Sequence, residues 1–257
     1  MLYRRLAALA LILCLMLGCV SAHAAGFTTT VESLTDAQKV LRGYEKGKGD
    51  GGYVYMKFGR YPYTKQGEVR DLTWRVLAIE NGYAFLLNEY CVDAARSHFE
   101  KKDPPTWNQY EIFGYMNTTM VERMFTEEEL AIVRHNDELG WLFVLDNKEF
   151  MTARYGFRSI FTEKQWEREC ALTPYASTIP GTYIDGNGKT TYWSRSCRNT
   201  AGQGYQHIVG YDGHISMAGH LRVCAIRPAC FVDVTCLDNV TGSGTEKDPY
   251  VFEIVQR

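Results

Sequence analysis

Five positions near the C-terminal end could gather a metal or run thiol chemistry: His207, His214, His220, Cys224 and Cys230. Their spacings match no compact zinc pattern of closely paired cysteines followed by paired histidines, and a bridged cysteine cannot act as a ligand. No metal or other cofactor is therefore expected. A second set, Trp193, Arg195, Asp212 and Arg227, joins an aromatic ring to guanidinium and carboxylate groups. Such a face could stack on and hydrogen-bond a sugar or a peptide. The same arginines could instead brace the fold through bidentate pairs to buried carboxylates or carbonyls. Asp185-Gly186-Asn187-Gly188 opens like a calcium loop but lacks the later glycine and glutamate, so a hairpin turn is expected there. No Gly-x-Ser-x-Gly elbow frames a serine for acyl transfer, and the chain reads as non-enzymatic.

The compartment decides how the cysteines behave. The chain starts Met1-Leu2-Tyr3-Arg4-Arg5, runs apolar from Leu6 to Leu17 and continues Ser21-Ala22-His23-Ala24-Ala25. A basic start, an apolar middle and a small-residue end are the parts a secretory peptidase reads. A transmembrane span needs about 20 apolar residues, more than this run supplies. Residues 1–25 are thus expected to be a signal peptide cleaved after Ala24 or Ala25, with the product periplasmic, extracellular or on the cell surface. Leu17-Gly18-Cys19 resembles a lipoprotein box, with Met16 where leucine is usual, and a membrane partner is expected only if Cys19 carries lipid. Without Arg4 and Arg5 the chain has 26 basic and 30 acidic residues, a net charge of −4. No block of like charge stands out, so a nucleic-acid partner is not expected.

Two of the eight cysteines, Cys14 and Cys19, fall in the signal. Cys91, Cys170, Cys197, Cys224, Cys230 and Cys236 remain as disulfide candidates in an oxidising compartment. The sequence does not choose among their connectivities. Cys224, Cys230 and Cys236 would share a face of an unbroken strand, but Pro228 interrupts it and points them to separate layers.

These residues need elements to position them. Thr35 with Gln38, and the face Leu34, Ala37, Leu41 and Tyr44, predict an N-terminal helix followed by a glycine-rich linker, together spanning residues 26–52. Tyr53 to Phe58, Leu72 to Glu80 and Tyr83 to Asn88 alternate like strands. Asn81-Gly82 between the last two supplies the positive φ angles of a type I′ hairpin turn. Thr126 with Glu129, Asp146 with Glu149 and Thr162 with Gln165 predict three capped helices, and Leu142 to Leu145 a short buried strand. From Thr182 the texture is aromatic and glycine-punctuated, with short strands at Tyr183-Ile184, Thr190 to Ser194, His207 to Val209, His214 to Met217 and Val223 to Ile226. Thr241 to Pro249 reads as a linker, and Tyr250 to Val255 as an edge strand in a C-terminal tail over 237–257. Strands, then helices, then strands make an α+β fold, with helices segregated from antiparallel sheets.

Phe58-Gly59-Arg60-Tyr61-Pro62, Trp74 to Glu80 and Leu86 to Tyr90 resemble the opening of an uncharacterised bacterial family, domain of unknown function 6273. Phe125 to Glu129 resembles its middle. Thr173 to Ala176, Trp193-Ser194-Arg195-Ser196 and Ile226 to Ala229 resemble its later landmarks. The chain departs from the family at Ser194, where leucine is usual, and lacks an arginine usually found near Phe113. The resemblance implies a domain over 53–236 similar to C-type lectin-like folds and to formylglycine-generating enzymes. In lectin-like folds the glycine-rich β half carries the ligand surface, which here holds Trp193, Arg195, Asp212 and Arg227. The function expected is an exported recognition module for a glycan, peptide or protein of a cell surface. A copper or thiol oxidase using Cys224 with Cys230, as in formylglycine-generating enzymes, and a structural part of a surface assembly are the alternatives.

Overall fold

The structure is a computed structural model that describes residues 41, 52–99, 106–159, 163–198 and 204–255. The chain divides into two units, Met1–Leu34 and Thr35–Arg257, and the described residues belong to the second. The signal and lipoprotein readings lie outside them. Of the predicted N-terminal helix only Leu41 is described, helical and buried.

In chain order the strands are β1 Val54–Pro62, β2 Val69–Glu80, β3 Tyr83–Asn88, β4 Asp93–Arg96, β5 Tyr192–Arg198, β6 Tyr205–Val209, β7 Ile215–Gly219, β8 Val223–Ile226, β9 Ala229–Asp233, β10 Leu237–Thr241 and β11 Val251–Ile254. They build a four-stranded sheet in the order β1-β2-β3-β9, a five-stranded sheet in the order β4-β8-β5-β6-β7, and the ribbon β10-β11. Pairing is antiparallel throughout, apart from a parallel contact of β5 with β8 at Tyr192 and Ala225. Helices are few and short. α1 Glu111–Tyr115 continues through a π-turn at Met116–Met120 into α2 Val121–Met124, and α3 Glu127–Ala131 follows. The fold is therefore α+β and dominated by antiparallel sheet.

The hairpin forms as expected, with Asn81 at φ 51° and Gly82 at φ 83° between Glu80 and its partner Tyr83. β1 runs on past Phe58 through a register shift between Lys57 and Arg60. Gly59 sits in that shift at φ +63°, packed so closely that a Cβ would fall 2.8 Å from the Phe125 ring. The Thr126–Glu129 capping box closes both ways and starts α3. Asp146 and Glu149 also cap each other, yet only a single 3₁₀ turn, Glu149–Met151, follows. Both carboxylates are held by Arg195 of β5, which pins the turn to the sheet. Thr162 lies outside the described residues, and no helix starts at Gln165. Its amide is taken by the Arg158 backbone instead, donating to the carbonyl and accepting from the N–H. Leu142 to Leu145 is buried but is not a strand, since only Phe143 bridges to Ala229. Side chains satisfy much of the rest: Asn117 takes the Trp141 and Leu142 N–H groups, and Arg195 the Val144 carbonyl. Tyr183-Ile184 is likewise an isolated bridge, Ile184 to Thr190, around a turn in which Asp185 accepts from Asn187 and Lys189.

The core is one apolar cluster shared by both sheets, in which the buried Phe85 and Phe143 stack on each other and on the half-buried Phe231. The chain crosses between the sheets twice, from β3 to β4 through Asn88–Val92 and from β8 to β9 through Arg227-Pro228. The crossings lie side by side, joined by Asn88 N to Pro228 O at 2.9 Å and Val92 N to Ile226 O at 3.1 Å. The three cysteines spaced by six fall in β8, β9 and the 3₁₀ turn Val234–Cys236, in line with a break at Pro228.

Candidate functional site

A cleft of about 530 Å³ opens where the β1–β2 hairpin meets the first crossing. Two tyrosine rings stand on its wall, Tyr63 and Tyr90, edge to face with centroids 6.4 Å apart. The Arg70 guanidinium lies 5.0 Å over the Tyr63 ring, and Arg70 is exposed. Lys57 donates to Thr73 Oγ1 at 2.8 Å, and burial holds its ammonium below the ordinary lysine pKa. Tyr90 is pushed up to about 12, first by burial and then by Glu246, whose carboxylate its hydroxyl meets at 3.4 Å.

Asn88 closes the inner wall. It is wholly buried, its Oδ1 accepts from Tyr90 N at 3.1 Å, and its Nδ2 has no hydrogen-bond partner. A buried amide donor left unmade costs about 1–3 kcal/mol, and Asn88 carries that cost beside the cleft. Sequence reasoning did not single out this wall. The signal available was Asn88 itself, a polar amide ending the apolar run Tyr83 to Leu87.

Behind the cleft lies a buried charge cluster. Arg75 grips Glu89 with two bonds of 2.7 and 2.8 Å and gives a third to the Glu167 carbonyl. Arg227 donates through Nε to the Asn88 carbonyl at 2.8 Å, with its NH2 3.8 Å from Glu89. Beside them Cys91 and Cys170 stand with their sulfurs 3.3 Å apart. Burial pushes the Cys170 thiol up, but the hydrogen bond from Cys91 and the Arg227 guanidinium outweigh it and leave it below the ordinary cysteine value. Burial raises Cys91, and the contact with Cys170 adds to that.

The four ligand candidates from sequence do not come together, and none lines the cleft. Trp193 and Arg227 are fully buried and face no open surface. The Trp193 indole donates to the Ala95 carbonyl at 2.9 Å. Arg195 pairs in bidentate fashion with Glu149 at 2.5 and 2.7 Å and lies over Phe143, so it ties the Glu149 turn to β5, the central strand of its sheet. Asp212, in the β6–β7 turn, pairs with His214 and with Lys164 at 3.2 Å. Burial acts against its ionisation, but the hydrogen bonds from His214 and Lys164 hold its carboxyl below the usual range.

The histidine and cysteine set is also dispersed. His207 is on β6, His214 is with Asp212, and His220 stacks on His98 and accepts from Phe99 N. Cys224 lies in the five-stranded sheet and Cys230 in the four-stranded one. Burial pushes the Cys224 thiol up to about 12 and Cys230 higher still, the reverse of what a thiolate ligand or nucleophile needs. Among the described residues no three His, Cys, Asp or Glu side chains gather as a metal site. All six cysteines stand as unbridged thiols. Compared with protein-family models, with curated proteins and with solved structures, the chain matches none.

Proposed function

We propose that this chain is an exported, non-enzymatic recognition module of C-type lectin-like kind, related to domain of unknown function 6273, and that the cleft at the β1–β2 hairpin is its ligand seat. The observation that carries the reading is the open cleft lined by Tyr63, Tyr90, Arg70 and Lys57, with Asn88, whose buried amide lacks a partner, among its lining residues. The ordered landmarks from Phe58 to Ala229 and the signal-like start support the family and the export. The ligand is polar, a glycan or a peptide. Tyr63 and Tyr90 offer ring faces and edges to it, and Arg70 and Lys57 offer cationic donors.

The test is a screen of the chain lacking residues 1–25 against glycan and peptide arrays, followed by titration of any hit. Tyr63→Ala and Arg70→Ala should each weaken binding about tenfold while leaving the thermal midpoint near that of the parent. Binding unchanged by both substitutions would move the seat elsewhere. No ligand above background, together with a measurable turnover, would sink the reading.

A further inference from the structure

We infer that Cys91 and Cys170 form an intramolecular disulfide when the chain folds under oxidising conditions. The two residues are 79 apart in sequence, yet the backbone brings them together as neighbours. Cys91 N donates to the Ala171 carbonyl and Thr173 N to the Cys91 carbonyl, both at 2.9 Å, and Cys91 bridges Leu172 in parallel register. Their sulfurs are already in contact at 3.3 Å, so side-chain rotation closes the bond without the backbone movement that rules out most cysteine pairs. The other four show no such contact with one another among the described residues. Cys197 lies against the Tyr205 carbonyl, Cys236 against Thr235, and Cys224 and Cys230 are in different sheets. Among the described residues none of the four is within hydrogen-bonding reach of a second thiol.

The chemistry is thiol–disulfide exchange with a small external disulfide such as oxidised glutathione. One cysteine thiolate attacks the external S–S bond, releasing the first small thiol and leaving a mixed disulfide on the protein. The second cysteine attacks the protein sulfur of that bond and releases the second small thiol. Two electrons pass from the protein to the external disulfide, and the two protons end on the released thiols. Both cysteines are closed off from solvent in the fold, so exchange runs while the chain is still open, and the bridge is then sealed in. The bridge is independent of the ligand reading, although it ties Tyr90 and Val92 to Thr173, all three on the cleft wall.

Non-reducing peptide mapping tests it. The chain is refolded with a mixture of oxidised and reduced glutathione, denatured with excess alkylating reagent, digested and weighed. The expected map links the Cys91 and Cys170 peptides, lighter by two hydrogen atoms than the two thiol peptides, with alkyl groups on every other cysteine. Alkylation of both Cys91 and Cys170, or either one joined to a different cysteine, overturns the inference. Refolding under reductant supplies a second readout. The reduced chain should melt about 10 °C below the oxidised one, and equal midpoints overturn the inference as well.

Discussion

Asp93 shows how much one buried carboxylate can organise. It is 2 % exposed, and its Oδ2 accepts the hydroxyls of Tyr61 at 2.5 Å and Tyr115 at 2.7 Å. Burial first, and then the Asp93 charge, push both phenols well above the ordinary tyrosine range. Tyr192, wholly buried, is raised by burial against the pull of Arg227. A phenol whose folded pKa exceeds its unfolded value contributes stability that is fully present below pH about 10 and is lost as pH rises toward the folded value. The unfolding free energy should therefore begin to fall near about pH 9, where the raised thiols of Cys224 and Cys230 start to count, and fall more steeply above about pH 10. Tyr61 and Tyr192 should each contribute a slope of about 1.4 kcal/mol per pH unit. Urea unfolding across the alkaline range, with Tyr61→Phe beside the parent, checks this. The variant should be weaker near neutrality by about 2 kcal/mol and less steep above pH about 10. A parent curve that stays flat through that range would contradict the assignment.

At the scale of elements, local chemistry was readable wherever a residue acts on its own backbone. Asn81-Gly82 carries its turn in its φ preferences, and Thr126 with Glu129 carries its cap. The failures share a cause. Asp146, Glu149 and Gln165 have the side chains of helix starts, but distant partners claim them: Arg195 takes the first two, and the Arg158 backbone takes the third. β4 was missed because Asp93-Ala94-Ala95-Arg96 has no strand-like alternation and owes its shape to pairing with β8. The arginines of the C-terminal half were legible as residues with work to do, but not which work. Whether a guanidinium faces solvent or a buried carbonyl depends on strands that the sequence does not place. The turn at Gly213 gives this scale its prediction. Its φ is +76°, and a methyl group there would collide with the Gln165 backbone carbonyl. Gly213→Ala should cost about 3 kcal/mol in urea unfolding, because neither the backbone angle nor the neighbour can yield cheaply. A loss below about 0.5 kcal/mol would show that the β6–β7 turn relaxes freely.

For the whole molecule, the decisive feature is that each sheet is completed from the C-terminal side. β3 pairs with β9, and β4 pairs with β8. A chain ending before Val223 would lack both partners, leaving β3 an open edge and β4 with no strand to pair with. Removal of residues 223–257 should therefore abolish the near-ultraviolet circular dichroism of the packed aromatics, and not merely loosen one end. A native-like spectrum from the shortened chain would show that the N-terminal strands hold by themselves. The side-by-side crossings also set a schedule. A ribosome delivers the strands that close both sheets last, so the growing chain has no finished sheet to lock into for most of its synthesis. Such a chain stays open to reagents while it grows. It also keeps Cys91 and Cys170 within reach of an oxidant until the final strands arrive and shut them in.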